Sequence, residues 1–354
     1  IKARELLRIA YRSGLDQIII FGKRWEKTGR NSKNINARPS IDLHKSLNER
    51  KGVRIHIITY PQGLRDTGIN SSADIIISVL PSNPDQKEID LLNRNSTFLA
   101  ESLEDAFDIS GRILSMINSQ FLSKGVLSSA VPAVPDNAAE PFDIISSVIL
   151  PVCDNGSFVE LGSAMNNPLT GPTLVTGLGR IEGRTVGIIA DQPLTRGGGA
   201  DSAGTEKFRV FTELLNRFNI PLIMLSNSSG FVPGSKEERF RIQAVGAESL
   251  DANISGKIPV VSVILNQNYG GRLIQAFNGY LRPGIVYIAR KNAMMSVLGA
   301  TAAFYLLRKR EYHKLIEENR DKEADDLKRK FIEEYTAGSM ASHDAMKTGV
   351  LDWV

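Results

Sequence analysis

Two glycine-rich loops are the segments of this sequence best suited to chemistry. The loop 229–234 reads Ser-Gly-Phe-Val-Pro-Gly after the apolar run 221–226, and the loop 268–272 reads Asn-Tyr-Gly-Gly-Arg after the apolar run 260–265. Because glycine has no side chain, a ligand oxygen can approach the backbone, and unpaired N–H groups at a helix start point outward as donors. Two such turns on neighbouring strands can bring their amides to one developing negative charge, which makes an oxyanion hole without side chains. The pattern is equally compatible with plain tight turns.

Side chains that commonly carry catalysis are scarce. None of the histidines stands at ligand spacing from a cysteine or carboxylate, so we expect no metal site and interpret each as a surface or strand-packing residue: His44, His56, His313 and His343. No basic residue lies near Cys153, the single cysteine, which favours an inert thiol. Gly177 and Gly179 precede a turn and another apolar run instead of a helix, which favours a hairpin over a dinucleotide-binding loop.

The composition narrows the class of protein. The chain has 354 residues, with 43 Lys and Arg against 39 Asp and Glu, a formal charge of +4 and a pI of about 9.0. Basic and acidic residues are interspersed, which disfavours nucleic-acid binding and is compatible with a phosphate-bearing small molecule. One cysteine suits a reducing compartment, so we expect a cytoplasmic protein, or a mitochondrial-matrix protein if the source is eukaryotic. No apolar run reaches the roughly 20 residues that span a bilayer.

Helix and strand patterns alternate along the chain, which predicts an α/β fold with a parallel or mixed sheet. A stretch rich in Ser, Ala and Pro predicts a linker at 123–139, between an N-terminal part at 1–122 and a C-terminal part at 140–354. Strands are predicted at 18–21, 53–58, 74–80, 158–161, 173–178, 184–190, 220–226, 258–265 and 285–289. Helices are predicted at 2–11, 41–47, 103–117, 205–218, 271–279 and 307–335, the third begun by Ser102, and a mostly helical segment is predicted at 235–252. Glu182 and Gly183 are predicted to form a hairpin turn.

The order of these elements occurs twice, over 3–80 and over 206–289, which predicts an internal duplication. With Ile18 and Leu222 as equivalent positions, the next strands begin 35 residues later at Val53 and 36 residues later at Ile258. The third strands begin 22 and 27 residues further on, so the first copy is five residues shorter where the second carries its second glycine loop. A chance match of two α/β patterns is the alternative.

Eight short blocks in the second part stand in a recognisable order. They are Glu-Pro-Phe-Asp at 140–143, Asp-Asn-Gly-Ser-Phe-Val-Glu at 154–160, Gly-Arg-Ile-Glu-Gly-Arg at 179–184, Val-Gly-Ile-Ile-Ala-Asp-Gln-Pro at 186–193, Phe-Asn-Ile-Pro-Leu at 218–222, Gly-Phe-Val-Pro-Gly at 230–234, Tyr-Gly-Gly at 269–271 and Gly-Val-Leu-Asp-Trp-Val at 349–354. In this order the sequence resembles the carboxyltransferase subunits of biotin-dependent acyl-CoA carboxylases, relatives of the propionyl-CoA carboxylase β chain and the glutaconyl-CoA decarboxylase carboxyltransferase. Their order over about 200 residues is more specific than any one block.

The resemblance implies a crotonase-like fold, a (ββα) superhelix of two homologous halves of which the first is truncated here. It implies transfer of a carboxyl group between carboxybiotin and an acyl-CoA, with biotin on a separate carrier domain or protein and coenzyme A as part of the substrate. Backbone amides would stabilise the charge that builds on the thioester oxygen and on the ureido oxygen of biotin. The implied partners are a biotin carboxylase or biotin carrier subunit and a paralogous carboxyltransferase subunit, in an oligomer.

The resemblance also implies the site residues. The residues whose amides would be catalytic are Gly271, Arg272, Gly230 and Phe231. The residues of the cofactor-binding turns are Tyr269, Gly270 and Gly234. Arg272 stands where the family has a small residue, so its side chain is expected either to crowd the biotin ring or to pair with an anion. Ile274 stands where many members have an acidic residue, which implies an apolar substrate pocket.

The N-terminal part departs from the family at both of its own turns. The segments 21–25 and 60–64 lack the glycine-rich pattern, and Pro61 cannot donate a hydrogen bond. The leading hypothesis is therefore a carboxyltransferase subunit that supplies the biotin side of the site and needs another subunit for the acyl-CoA side. The alternatives are a non-catalytic assembly subunit of such a complex and a biotin-independent CoA-thioester decarboxylase or hydrolase.

Overall fold

A computed structural model describes residues 17–21, 54–59, 75–81, 83, 85, 98–118, 120, 125, 128–138, 140–161, 171–276, 282–339, 341–347 and 349–354. The chain divides into two compact units: Ile1–Leu122 with Val159–Thr170, and Ser123–Phe158 with Gly171–Val354. The helices predicted at 2–11 and 41–47, the divergent turns at 22–25 and 60–64, and His44 lie outside the described residues.

The first unit contains four parallel strands in chain order. They are β1 (Gln17–Phe21), β2 (Arg54–Thr59), β3 (Ile75–Val79) and β4 (Phe98–Ala100), and each pairs with the next. Helix α1 (Leu103–Asn118) packs on β3 and β4 through one apolar face. Its start is capped as predicted, because the N–H of Asp105 donates to Ser102 Oγ at 3.1 Å. The short strand β5 (Val159–Glu160) belongs to the second segment of this unit.

The second unit is built on a mixed sheet. Strands β6 (Leu174–Ile181) and β7 (Arg184–Asp191) form an antiparallel hairpin, and β8 (Leu222–Ser228), β9 (Val260–Tyr269) and β10 (Ile285–Ala289) continue in parallel from β7. The strand β11 (Met294–Ser296) pairs with the end of β9. The predicted hairpin turn is confirmed: Glu182 and Gly183 both have positive φ, 51° and 81°, as a type I′ turn requires.

Helices cover both faces of this sheet. They are α2 (Ser202–Phe218), α3 (Ser235–Arg239), α4 (Ile242–Ile254), α5 (Gly270–Ala276), α6 (Ala300–Glu317), α7 (Asp321–Ser339) and α8 (Ser342–Lys347), with shorter turns at Ile145–Ile149, Leu150–Val152 and Arg196–Gly198. Ile188 faces a cluster with Phe142, Val148 and Cys153, whereas a Cβ on the neighbouring Gly187 would meet Leu215 of α2. Successive strand residues therefore bury opposite faces.

The helix predicted at 307–335 is divided in the structure, so its prediction as a single helix was wrong. The segment 307–335 is interrupted between α6 and α7 because Asn319 adopts a left-handed conformation, with φ of 55°, and the N–H of Arg320 donates to Leu315 O. The two helices then pack against each other, which half-buries the apolar side chains of Leu315, Leu327 and Phe331. The segment 235–252 is mostly helical as predicted, with α3 and α4 separated by a break at Arg241, whose φ is 60°.

The repeated strand order is present in both units. Ile18 pairs with Ile55 and Ile55 with Ile75, while Leu222 pairs with Val260 and Val260 with Ile285. The second and third strands are 20 positions apart in the first unit and 25 in the second, so the difference of five residues persists between register partners. The truncation of the first half remains a prediction.

Part of the predicted linker is bonded to the second unit. The N–H of Ala133 donates to Ser147 O at 2.8 Å, and Asn266 Nδ2 donates to Pro135 O at 2.9 Å. Arg290 Nη2 lies 3.1 Å from Asp136 Oδ1. The boundaries at 122 and 140 remain a prediction from composition.

Candidate functional site

The first glycine turn, which we call elbow 1, is the loop 229–234 between β8 and α3. Its backbone needs glycine at two positions, because Gly230 has φ of 104° and Gly234 has φ of 124°. The N–H of Gly230 donates at 3.2 Å to the Oγ of Ser228, the last residue of β8, so this amide already has an acceptor. Among the described residues, the N–H of Phe231 has no hydrogen-bond acceptor. Of the two amides predicted here, only that of Phe231 is therefore available to a ligand.

The second turn, elbow 2, joins β9 directly to α5. The backbone changes from strand to helix at Gly270, whose φ is 60°, and Gly271 and Arg272 follow in the first turn of α5. First-turn N–H groups have no acceptor within their own helix. The sequence predicted the N–H groups of Gly271 and Arg272 as donors to a ligand, and that assignment remains a prediction.

The two elbows lie side by side. A Cβ on Gly230 would stand 3.3 Å from the carbonyl oxygen of Tyr269, and a Cβ on Gly271 would stand 2.5 Å from Phe231 Cε2. The ring of Phe231 also lies against Gly246 of α4, where a Cβ would come within 3.3 Å of Cζ. The ring is thus inserted between α4 and α5, and both glycines make room for it. This packing explains why Gly271 is glycine without invoking a ligand.

Arg272 does not direct its side chain into solvent. Its guanidinium is 1% exposed and pairs with Asp191 at the end of β7, with Nη2 at 2.9 Å and Nε at 3.1 Å from Oδ1. It also lies over the ring of Phe208, 5.1 Å from the ring centre. The sequence left open whether this side chain crowds a ligand or pairs with an anion, and in the structure it pairs with a carboxylate of its own chain.

A buried polar network beneath the elbows was not predicted. Burial raises the pKa of the Asp191 carboxyl, while Arg272 and the N–H of Asn227, which donates to Oδ2 at 3.0 Å, oppose that rise. Arg272 Nη1 donates to Gln275 Oε1, and Gln275 Nε2 donates to Ser249 Oγ on α4. The network therefore joins the ends of β7 and β8 to α4 and α5.

A second contact that the sequence did not predict holds α3, the helix that follows elbow 1. Glu237 of α3 accepts hydrogen bonds from the N–H of Ser202 at 2.9 Å, from Ser202 Oγ and from Arg196 Nη1 at 3.3 Å. Burial raises the pKa of Glu237, but the hydrogen bonds from Ser202 and Arg196 outweigh burial and lower it below its ordinary value. The helix that leaves elbow 1 is thus tied to the start of α2.

The loop 196–200 lies alongside elbow 1. Arg196, Gly197 and Gly198 all have positive φ, and a Cβ on Gly198 would overlap the carbonyl oxygen of Asn227. The N–H of Ala200 donates to Gly230 O at 2.9 Å, and the N–H of Val232 donates to Ala200 O at 2.9 Å. The glycine run of this loop lets its backbone pass close to the end of β8.

Three other predicted site residues lie in the elbows or on the helix α5: Tyr269, Gly234 and Ile274. Tyr269 is buried, its OH lies 3.9 Å from Met294 Sδ, and burial together with Tyr335 raises its pKa to about 12. Gly234 directly precedes α3, and no atom lies within 4 Å of a Cβ placed on it. Ile274 is 53% exposed on α5, one turn after Gly270.

Other features of the described residues bear on the site only indirectly. Burial raises the pKa of Cys153 to about 12, in agreement with an inert thiol. His56 is buried on β2, whereas His313 and His343 are exposed. In this part of the chain no group of three or more His, Cys, Asp or Glu side chains is placed to hold a metal ion. A cavity of about 630 Å³ lies between α2 and α4, and none of its lining residues belongs to either elbow.

Comparison with known proteins places the chain in a family. The family model described as "Carboxyl transferase domain" matches residues 95–354. The propionyl-CoA carboxylase beta chain of Saccharopolyspora erythraea is 30% identical over 279 residues, which are 73% of this chain and 50% of the relative. The methylmalonyl-CoA carboxyltransferase 12S subunit of Propionibacterium freudenreichii subsp. shermanii is 32% identical over 224 residues, 62% of this chain and 39% of the relative. The chain thus spans half or less of the length of these relatives.

Solved structures show the same fold. A structure of transcarboxylase 12S with hydrolysed methylmalonyl-coenzyme A has a TM-score of 0.75 and 22% identity, covering 100% of this chain and 72% of that one. A single-chain, multi-domain long-chain acyl-CoA carboxylase has a TM-score of 0.71 and 18% identity, covering 100% of this chain and 36% of that one. The predicted α/β crotonase-like fold is confirmed. Within the described residues, no helix has both the length and the apolar character that crossing a bilayer requires. Because the family model matches well over half of the sequence, this chain belongs to the carboxyl transferase domain family.

Proposed function

We propose that this chain is the carboxyltransferase subunit of a biotin-dependent acyl-CoA carboxylase and moves a carboxyl group between carboxybiotin and an acyl-CoA. The observation that carries the proposal is the pair of adjacent glycine elbows in a chain of the carboxyl transferase domain family. The names of its relatives, which include a propionyl-CoA carboxylase beta chain and a biotin-dependent long chain acyl-coenzyme A carboxylase beta4 subunit, support it.

The elbows fit a ligand oxygen that gains negative charge. Donors at this edge are the first-turn amides of Gly271 and Arg272 and the free amide of Phe231. The nearby carboxylate of Asp191 is fully buried and engaged by Arg272, so it is not placed to repel an anion. When bound, biotin on its carrier supplies the ureido group that carries the carboxyl group.

Each predicted site residue then has a defined role. The N–H groups of Gly271 and Arg272 would donate to the ureido oxygen of bound biotin, and that of Phe231 would donate from the facing loop. The removal of one such donor is expected to lower the rate by roughly 10²–10³-fold. The turns themselves are shaped by three further residues: Tyr269, Gly270 and Gly234. Ile274, exposed and apolar, is proposed to contact the acyl substrate.

The proposal includes partners. A biotin carboxylase or biotin carrier subunit would bring biotin, and a paralogous carboxyltransferase subunit would supply the acyl-CoA side of the site within an oligomer. The divergent turns at 21–25 and 60–64 support the second requirement. The proposed compartment is the cytoplasm, or the mitochondrial matrix in a eukaryote. Purification from the native source, followed by identification of the chains and biotinylated proteins that accompany this one, tests the partners.

The amide assignment is tested by two substitutions at one position. Gly271→Pro removes the N–H, and proline is accepted in the first turn of a helix. Gly271→Ala keeps the N–H but introduces the same contact with Phe231. We expect carboxyl transfer by the assembled complex to be at least tenfold slower with Gly271→Pro than with Gly271→Ala, because only the former loses a donor.

The same assay separates the other interpretations. If both variants transfer carboxyl groups equally well, the amide assignment is wrong. If Gly271→Pro leaves the complex as active as the unaltered chain, a non-catalytic assembly subunit is the better description. Turnover of a CoA thioester without any biotin carrier would instead indicate the biotin-independent decarboxylase or hydrolase.

A further inference from the structure

Asp191 is a buried carboxylate that connects three strand ends at the edge of the sheet where the elbows lie. It is the last residue of β7 and is 0% exposed. Its Oδ1 accepts from Nε and Nη2 of Arg272, in the first turn of α5 after β9. Its Oδ2 accepts from the N–H of Asn227, three residues before Gly230 on β8. One side chain is therefore bonded to elbow 2 through Arg272 and to the end of the strand that leads into elbow 1 through Asn227.

Arg272, the partner of this carboxylate, makes further contacts with α5 and α2 and is linked to α4 through Gln275. Arg272 also donates to Gln275, which in turn donates to Ser249 of α4, and its guanidinium lies over the ring of Phe208. A buried guanidinium without its carboxylate partner is strongly unfavourable, which resists any displacement of Arg272 away from Asp191. The residue whose amide is proposed to act as a donor thus has its side chain fixed to β7.

The chain that follows Asp191 adds a further constraint. Gly198 passes so close to Asn227 O that no side chain fits there. Ala200 then hydrogen-bonds to Gly230 and Val232. The end of β7 therefore restrains elbow 1 through the loop 196–200 as well as through Asn227.

We propose that Asp191 is a positioning residue for carboxyl transfer: through Arg272 and Asn227 it fixes the separation between the donor amides of elbow 1 and elbow 2. This inference rests on the proposed function. Asp191 touches no reacting atom, so it acts only through geometry. Displacement of aligned groups by about 1 Å can lower a rate on the order of 10²-fold.

The first test replaces Asp191 with its isostere in the full chain, assayed with the partner subunits that co-purify with it. We expect Asp191→Asn to lower kcat on the order of 10²-fold with KM for the acyl-CoA nearly unchanged, because misaligned amides affect charge that builds only in the transition state. Arg272→Lys keeps the charge but replaces the two-pronged contact with a single ammonium group, so an intermediate kcat is expected. Arg272→Gln completes a double-mutant cycle: the double variant Asp191→Asn/Arg272→Gln should be no slower than the slower of Asp191→Asn and Arg272→Gln, because the two residues act as one unit.

Arg180→Lys is a matched control for loss of a buried arginine. Arg180 is 6% exposed in the same hairpin, donates to Gly183 O at 3.2 Å and lies opposite Thr185, six residues before Asp191 on β7. Its replacement should lower the melting temperature and leave kcat unchanged. An equal fall of kcat in Arg180→Lys and Asp191→Asn, or no fall in Asp191→Asn, would overturn the proposal.

Amide hydrogen exchange on the full chain gives a readout that needs no activity. In the unaltered protein the N–H of Asn227 should exchange as slowly as the core of β8, and rapid exchange there would contradict the proposal even if every variant failed to fold. In Asp191→Asn, exchange at the hydrogen-bonded amides of Asn227 and Gly230 and at 274–276 of α5 should accelerate at least tenfold while that at 184–187 is unchanged. If the unaltered chain with its partners transfers no carboxyl group, the proposed function fails, and the exchange data alone decide whether Asp191 holds the elbows.

Discussion

Replacement of Glu237 by glutamine tests how firmly elbow 1 is anchored. Glu237 lies in α3, directly after the loop 229–234, and caps the start of α2 by accepting two hydrogen bonds from Ser202; it accepts a third from Arg196. Its side chain is 6% exposed, whereas that of Arg196 is 39% exposed. Because solvent weakens the contact with Arg196, most of the contribution comes from Ser202.

The expected loss follows from these contacts. Hydrogen bonds to a buried ionised acceptor contribute about 1.5–3 kcal/mol and those to a neutral one about 0.5–1.5 kcal/mol. A carboxylate at the first N–H of a helix adds roughly 0.3–1 kcal/mol through the helix dipole. Glu237→Gln keeps the shape and one acceptor oxygen, so we expect the free energy of unfolding to fall by about 2 kcal/mol near neutral pH.

The loss should depend on pH with a definite sign. The pKa of Glu237 is lower in the folded chain than its ordinary value of 4.5, so its ionisation stabilises the fold above pH 4.5 and this stabilisation is lost as the pH falls through the folded pKa. Urea denaturation near neutral pH and near pH 3 should therefore show a difference between Glu237→Gln and the unaltered chain that shrinks in acid.

Glu213→Gln is the control, because Glu213 is 53% exposed and pairs with Arg209 on the surface of α2. Its replacement should change the free energy of unfolding by less than about 1 kcal/mol at either pH. Equal stability losses for Glu237→Gln and Glu213→Gln, or a Glu237→Gln loss that does not change between neutral and acid pH, would refute the reasoning.

Two further predictions concern packing. Gly198→Ala should lower the free energy of unfolding by more than about 3 kcal/mol, because the new methyl group overlaps Asn227 O and the residue has positive φ. Gly197→Ala is the control: a Cβ there meets no atom within 4 Å, so the same denaturation assay should show a loss of only about 1 kcal/mol. Burial raises the pKa of the Cys153 thiol from 9.0 to about 12. Mass spectrometry should therefore show that Cys153 reacts with iodoacetamide on the order of 10³-fold more slowly in the native chain than in urea. Comparable rates would show that the thiol is accessible.

The sequence predicted the features of the site that depend on neighbouring residues. Glycines directly after apolar runs indicated both elbows, and Glu182 with Gly183 indicated the hairpin turn. The ion pair of Asp191 and Arg272 was missed because its members are 81 positions apart. A signal was nevertheless present: Asp191 stands at the end of one strand and Arg272 shortly after the end of another, and the carboxyl ends of parallel strands lie at one edge of a sheet.

Other features depend on tertiary structure. Glu237 lies in the charged run Ser-Lys-Glu-Glu-Arg, which reads as a solvent-exposed helix face, and only the position of Ser202 explains its burial. The division between α6 and α7 occurs at Asn319, a residue with moderate preference for the left-handed conformation, without glycine or proline to mark it. The packing of the two helices against each other selects that conformation over a continuous helix.

The ring of Phe231 has a consequence for motion at the site. It is inserted between Gly246 and Gly271, so a half-turn of the ring about its Cβ–Cγ bond requires α4 and α5 to move apart briefly. Exposed rings turn within nanoseconds, whereas a ring confined in this way turns only as often as its surroundings open. The two edges of the Phe231 ring should therefore give separate, slowly exchanging NMR signals, and their exchange rate measures how often the two helices part beside the elbows.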